Sequence, residues 1–148
     1  MAETPSEVED VEALLNDLLP FAHKMLVKNR EFLPFGGYTK PDGTIVWEGA
    51  YDGDDLPLSQ NLIDILHDSH RSLAARHEVK VCAVVYDIRT IPRGKSKKQD
   101  AICVAVDHLS GYSVHYIYPY KFNWLGKLIV EDDYAVEGDM AVFPRANA

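Results

Sequence analysis

Apolar residues recur at intervals of three and four along the first 28 residues of the chain. This spacing places them on one side of a helix, because about 3.6 residues make one turn. The segment Thr4-Pro5-Ser6-Glu7 adds the signature of a helix start, with its threonine as the capping residue. Pro20 interrupts the run, since an interior proline lacks the backbone donor that a helix needs. The pattern predicts a first helix to about Lys28, with a kink or short break near Leu19.

Two short apolar runs flank Lys40-Pro41-Asp42-Gly43, the strongest turn signal in the chain. Proline presets the first turn angle and glycine accepts a positive φ, so this segment predicts a β-hairpin close to the amino terminus. Gly36-Gly37, just before the turn, predicts a bend or bulge. Farther along, apolar residues at helical spacing predict a second amphipathic helix from Leu58 to about Arg76.

The segments from Val79 to Ile91 and from Asp100 to Leu109 are rich in β-branched residues and predict two strands joined by a basic loop. The first of them is apolar at both parities, which favours a strand covered on both faces. One or two shorter strands are expected between Leu128 and Phe143. The elements predict a single α+β domain over residues 1–148, in which two main helices pack on one face of a mostly antiparallel sheet extended by the amino-proximal hairpin.

Every second residue from Tyr112 to Tyr120 is tyrosine or valine. A period of two places these side chains on one face of a strand. A two-residue turn at Ser110-Gly111 would pair Ala105 with Tyr116, so that small residues lie opposite large rings. The aromatic face predicts either a binding surface or a core that faces helices.

The chain has 148 residues, 47% hydrophobic and 26% charged, as ordinary globular proteins do. Its net charge is −8, although Arg93, Lys95, Lys97 and Lys98 crowd into one loop, so extended contact with nucleic acid is disfavoured. No apolar run approaches the roughly 18 residues of a membrane span, and the first residues lack a secretory signal. We therefore expect a cytoplasmic protein with no nucleic-acid partner and no membrane association.

Few residues indicate a chemical reaction. Asp64, His67 and His70 lie three apart on the second predicted helix and could share a metal ion, although the same spacing suits ordinary surface pairs. Cys82 and Cys103 sit in strand-like runs without metal-ligand spacing and are expected to be reduced packing residues. The familiar nucleophile and dinucleotide motifs are absent from the sequence. The sequence thus predicts no catalytic residue, no cofactor and no resident metal, and it leaves open whether the protein is an enzyme.

The leading hypothesis is a non-enzymatic binding or protein-interaction domain, whose partner is another protein or a second copy of itself. An aromatic strand surface suits this role, because tyrosine combines a large apolar body with one polar tip. The predicted contact residues are Tyr116, Tyr118, Tyr120, His115, Phe35 and Tyr38. Two alternatives are a small metal-dependent hydrolase that uses the predicted helix histidines, and a small-ligand carrier with tyrosines lining its pocket.

Three short segments carry a resemblance: Glu31-Phe32-Leu33-Pro34-Phe35-Gly36-Gly37-Tyr38, the turn at Pro41-Asp42-Gly43, and Tyr118-Pro119-Tyr120. Together with the order of the elements, they resemble a group of small bacterial α+β proteins of unassigned function. The resemblance covers most of the chain. It implies a fold and transfers no catalytic residue.

Overall fold

A computed structural model describes residues 5–50, 52–54 and 57–143 of the chain. Within these residues two helices and seven strands follow one another. They are α1 (Pro5–Asn29), β1 (Phe35–Thr39), β2 (Ile45–Glu48), α2 (Ser59–Ala75), β3 (Val81–Thr90), β4 (Gln99–His108), β5 (Ser113–Phe122), β6 (Leu128–Val130) and β7 (Tyr134–Glu137).

The strands form one sheet in the order β2-β1-β3-β4-β5, and every pairing is antiparallel. β6 and β7 share the outer edge of β5, where β7 pairs with residues 114–117 and β6 with residues 120–122. β1 and β2 form a hairpin through the predicted turn, in which Gly43 has a φ of +95°. The predicted α+β class with an antiparallel sheet is confirmed.

α1 covers one face of the sheet with a continuous apolar stripe. Its buried residues are Val11, Leu14, Leu18, Ala22 and Leu26. They pack with the side chains that β3 and β4 direct to this face, among them Val85 and Ile102. Since burying one leucine contributes about 1.5–3 kcal/mol, this stripe fixes α1 on the sheet.

α2 packs on the opposite face, over β1 and β3. Ile63 and Leu66 pack on Val84 of β3, whereas α1 contacts Ala83 and Val85, the neighbours of Val84 that point the other way. The expectation that both helices share one face is therefore wrong. The physical reason lies in the central strands, which are apolar on both sides, so that each face needs its own cover.

α1 continues through Pro20 as one helix, so of the kink or short break expected near Leu19, the break is absent. Pro20 and Asn16 both lie on the exposed side of the helix. The carbonyl of Asn16, which loses its helical donor to the proline, can therefore be hydrated. Thr4, predicted as the capping residue, lies outside the described residues.

The two glycines predicted to form a bend instead lie inside the regular strand β1. A Cβ on Gly36 would approach the carbonyl oxygen of Ala83 to 2.7 Å, and a Cβ on Gly37 would come within 2.9 Å of Leu18 Cδ2. Gly36 therefore allows β3 to approach β1 closely, and Gly37 does the same for α1. Glycine in a strand can serve such close approach as well as a bend or bulge.

The hairpin between β4 and β5 has a longer turn than predicted. Three residues, 109–111, are closed by a 2.8 Å hydrogen bond from the His108 amide to the Tyr112 carbonyl, and the third residue is a glycine with a φ of +101°. This extra residue shifts every cross-strand pair by one position. Tyr116 consequently lies opposite the branched Val104 and not opposite a small residue, so the predicted register is wrong.

Candidate functional site

The three predicted contact tyrosines of β5 all lie on the sheet face that α1 covers. Tyr120 is only 3% exposed, while Tyr116 and Tyr118 are partly buried against the main core. Tyr116 and Tyr118 also edge a cavity of about 300 Å³, whose other wall includes Val11 and Leu15 of α1. The rings share one flank, as the alternation predicts, and only two of them are partly open.

The other predicted contact residues divide between the two faces. Phe35 is buried on the α1 face. Tyr38 lies on the α2 face, where its ring meets the ring of His70 edge-on with centroids 6.2 Å apart. His115 also points to that face, and its Nε2 lies 3.6 Å from a carboxylate oxygen of Asp139. The six residues therefore do not form one continuous surface.

Phe35 belongs to a larger feature on the α1 face, a groove of about 980 Å³. It lies between the carboxyl-terminal half of α1, the segment that leads into β1, and residues 49, 50, 57 and 59, which follow β2 and begin α2. We call it the aromatic groove, and its principal lining residues are Phe21, Phe32, Leu33, Phe35, Glu31 and Asp87.

The apolar wall of the aromatic groove is an ordered set of rings. Phe35 is at its centre, and the ring of Phe21 stands edge-on to it with centroids 5.1 Å apart. Phe32 meets Phe35 at 5.9 Å, and Trp47 of β2, behind the lining residues, stacks on Phe35 at 6.0 Å and meets Phe21 edge-on at 5.5 Å. Such edge-on and stacked pairs hold one another in place, so the wall is preorganised for contact.

The polar end of the aromatic groove carries negative charge. Asp87 of β3 is half-buried there and accepts a 2.7 Å hydrogen bond from the Tyr120 hydroxyl. Burial raises the pKa of the Asp87 carboxyl, and the carboxylates of Asp100 and Glu31 raise it further, while the bond from Tyr120 acts in the opposite direction. A carboxylate in this position favours a ligand group that donates a hydrogen bond or carries positive charge.

The α2 face contains a part-buried polar cluster of Glu48, Ser69 and His70. Nε2 of His70 lies 2.5 Å from Oε1 of Glu48, and the Ser69 hydroxyl donates to Oε2 of the same carboxylate at 2.8 Å. Burial alone would raise the pKa of Glu48, but the hydrogen bond and charge of His70 and the bond from Ser69 outweigh it and leave the pKa lowered. Through these bonds the cluster joins α2 to β2, with His70 itself completely buried.

The helix residues considered as metal ligands are engaged separately. His70 is held by Glu48, and the exposed Asp64 accepts a 2.9 Å hydrogen bond from the Gln60 amide. Burial lowers the pKa of His67, whose Nε2 has no hydrogen-bond partner among the described residues. In residues 5–50, 52–54 and 57–143, no group of three or more His, Cys, Asp or Glu side chains could hold a metal ion.

Sequence reasoning missed Phe21 and Asp87, although each carries a signal. Phe21 is an aromatic residue that lies off the main apolar stripe of α1, and 38% of its surface is exposed. Asp87 is the only acidic residue between Val79 and Ile91, and it follows the apolar run Val81–Tyr86. An unexpected ring on a helix and an unexpected acid in a strand both point to a site, but only the fold brings them together.

No protein-family model matches the chain, and no curated protein and no solved structure is significantly similar to it. Neither described helix is both long and apolar enough to traverse a lipid bilayer.

Proposed function

We propose that the protein is a non-enzymatic binding domain that holds a segment of a protein partner in the aromatic groove. The supporting observation is that the groove has ordered rings on one wall and a half-buried carboxylate, Asp87, at one end. Apolar contact supplies affinity in such a site, and a few placed polar groups supply orientation. Two of the residues predicted to form a contact surface belong to this proposed site. Phe35 lines the groove, and Tyr120 orients Asp87.

The exposed residues at the mouth of the groove favour a macromolecular partner. Leu33 is 56% exposed and Phe21 is 38% exposed, and both lie at the edge of the same concave surface. Aromatic and aliphatic side chains that converge in this way are typical of the central part of a protein interface. The overall negative charge of the chain supports a partner segment that is basic as well as apolar.

The test is selection of binding peptides from a random library displayed on phage, followed by NMR mapping of each selected peptide on the isotopically labelled protein. We expect the largest chemical-shift changes at Phe21, Leu33, Phe35 and Asp87. Replacing Leu33→Asp should abolish binding, because the new carboxylate would be desolvated against the incoming apolar segment.

The matched control is Leu109→Asp, in the turn between β4 and β5, where the leucine is 61% exposed. Peptide binding should be unchanged in this variant. If selected peptides map elsewhere, or if both variants lose binding equally, the proposal is wrong.

A small-ligand carrier is the second candidate, since the groove volume of about 980 Å³ is within the range of small-molecule pockets. A thermal-shift screen with metabolites separates the two candidates. A metabolite that raises Tm in the wild type and not in Leu33→Asp would favour the carrier, whereas peptides alone would favour the interaction domain.

A further inference from the structure

The turn between β5 and β6 presents an unusually open indole. Trp124 is 91% exposed and its neighbour Leu125 is 65% exposed. A scattered apolar residue on a surface is ordinary, but two adjacent ones at a turn form a compact apolar tip. We call residues 123–127 the indole turn.

The indole turn is held in one conformation by its own hydrogen bonds. The side-chain oxygen of Asn123 accepts bonds of 2.9 Å from the amides of Leu125 and Lys127, and the carbonyl of Asn123 accepts one of 2.8 Å from Gly126. Gly126 supplies the positive φ of +79° that the turn requires. Because the backbone is already ordered, little further entropy is lost when the indole is bound.

Arg30 links the indole turn to the aromatic groove. Its guanidinium lies 3.9 Å above the centre of the Phe122 ring and donates a 3.5 Å hydrogen bond to the carbonyl of Gly126. The residues on either side of it, Asn29 and Glu31, line the groove. The apolar tip and the groove are therefore neighbours on one side of the molecule.

The indole turn and the aromatic groove are complementary in shape and in charge. The tip projects and is flanked by the exposed cations Lys121 and Lys127, whereas the groove is concave and carries Glu31 and Asp87. A buried indole needs an acceptor for its N–H, and the Asp87 carboxylate lines the same groove as the aromatic rings. The groove thus offers both a stacking wall and an acceptor to a tryptophan.

We propose that the occupant of the aromatic groove is Trp124 of a second copy of this chain. This inference rests on the proposed function, since it names the partner of the same groove. Because tip and groove adjoin, a twofold axis lets each copy insert its indole turn into the other, so that one contact is made twice. In this dimer the indole N–H donates to Asp87, and Lys127 lies near Glu31 of the opposite copy.

The expected contact area indicates a reversible dimer. An aromatic side chain buries about 150–250 Å². With Leu125 and the groove walls included, two symmetric contacts approach the lower limit of about 1,200 Å² for a specific interface. The dimer should therefore dissociate on dilution, and high salt should weaken it through the flanking charges.

The first experiment is sedimentation velocity over a wide range of protein concentration. The wild type should shift from monomer to dimer as concentration rises, whereas Trp124→Ala should stay monomeric and retain its circular dichroism spectrum. Leu109→Ala, which removes a leucine that is 61% exposed from the turn between β4 and β5, should dimerise as the wild type does. A wild type that stays monomeric, or a Trp124→Ala variant that still dimerises, would overturn the inference.

The second experiment mixes two variants that cannot dimerise alone. Trp124→Ala keeps the groove, and Leu33→Asp keeps the indole turn, so together they can form one of the two contacts. With 5-fluorotryptophan in the Leu33→Asp protein, the Trp124 resonance should move when unlabelled Trp124→Ala protein is added, while the Trp47 resonance should stay. No movement of the Trp124 resonance would contradict the assigned contact.

The failure of this inference can be told from the failure of the proposed function. If the wild type is monomeric but selected peptides still map to the aromatic groove, the second copy is the wrong partner and the groove remains a binding site. If neither peptides nor a second copy occupy the groove, both the proposed dimer and the proposed binding function are wrong.

Discussion

The hydroxyl of Tyr120 on β5 donates a 2.7 Å hydrogen bond to the Asp87 carboxylate on β3, across the strand β4 that lies between them. The bond joins the tyrosine strand, which the sequence singles out, to the aromatic groove, which it does not. It also ties two strands that share no backbone pairing. The buried tyrosine therefore acts on the groove through the carboxylate that it orients.

Replacing Tyr120→Phe should lower the free energy of unfolding by about 1.5–3 kcal/mol, because the half-buried carboxylate loses a hydrogen-bond donor. Urea unfolding at neutral pH measures the change. Tyr118→Phe is the matched control on the same face, since its hydroxyl has no hydrogen-bond partner in the part of the chain that the structure describes, and it should change stability by less than about 0.5 kcal/mol. Equal losses in the two variants would show that the bond to Asp87 contributes nothing.

Replacing Asp87→Asn should raise Tm at pH 7. Burial raises the pKa of Asp87 above its unfolded value, so the folded state binds a proton more tightly than the unfolded state does. Ionisation at neutral pH therefore costs stability, which the neutral amide avoids, while below about pH 4 both states are protonated and the gain should disappear. Thermal unfolding at several pH values checks this. An increase in Tm that is the same at every pH would show that ionisation of Asp87 is not its cause. An increase that vanishes in acid would support the view that Asp87 costs stability and is kept for binding.

Replacing Gly36→Ala should destabilise the protein by about 1–3 kcal/mol, because the new Cβ would lie 2.7 Å from a backbone oxygen of β3. Gly49→Ala is the control, since a Cβ there meets nothing within 4 Å. This second substitution should be neutral or stabilising by up to about 1 kcal/mol. Chemical denaturation of both variants decides the point, and a neutral Gly36→Ala would mean that β1 and β3 can separate slightly at no cost.

Local chemistry predicted the elements well, because helical and strand periodicities and the Lys40-Pro41-Asp42-Gly43 turn each depend on residues close in sequence. The predictions were wrong where the structure depends on contacts between residues that are distant in sequence. One extra turn residue before Tyr112 changed the whole register of β5, and Gly36-Gly37 proved to serve contacts with β3 and α1 and not a bend. The placement of α2 on its own face follows from strands that are apolar on both sides, a pattern that the sequence contains.

The candidate site was harder to predict than the fold. Phe35 was identified from the sequence, but Phe21, Asp87 and Trp124 come from three separate segments and meet or adjoin only through the tertiary structure. The solvent exposure of a side chain is hard to predict from sequence. Tyr120 and Trp124 are both aromatic residues of one β-hairpin, and yet Tyr120 is buried and Trp124 is exposed. A tyrosine ladder in sequence therefore indicated a sheet face and not a free surface.

Replacing Glu48→Ala should cost about 1–3 kcal/mol, because it leaves Nε2 of the completely buried His70 without its hydrogen-bond partner. Glu78→Ala, which breaks an exposed ion pair with Arg76, should cost at most about 1 kcal/mol. Since the pKa of Glu48 is lowered in the folded state, its contribution is present at neutral pH and lost as pH falls through that lowered value. The difference between wild type and Glu48→Ala in urea unfolding should thus narrow in acid. A constant difference would mean that packing and not charge is lost.

The thiols of Cys82 and Cys103 are both free and buried, as the sequence predicts for packing residues. Burial raises the pKa of Cys103 to about 11 and that of Cys82 well above its ordinary value, and only thiolates react readily. In the native protein at pH 8, both thiols should therefore be modified by a disulfide reagent only as fast as the sheet opens, and added urea should accelerate both together. Time-resolved titration of free thiols measures this rate. Rapid modification of either cysteine without denaturant would show that the sheet face opposite α1, which carries both thiols, opens more readily than their burial indicates.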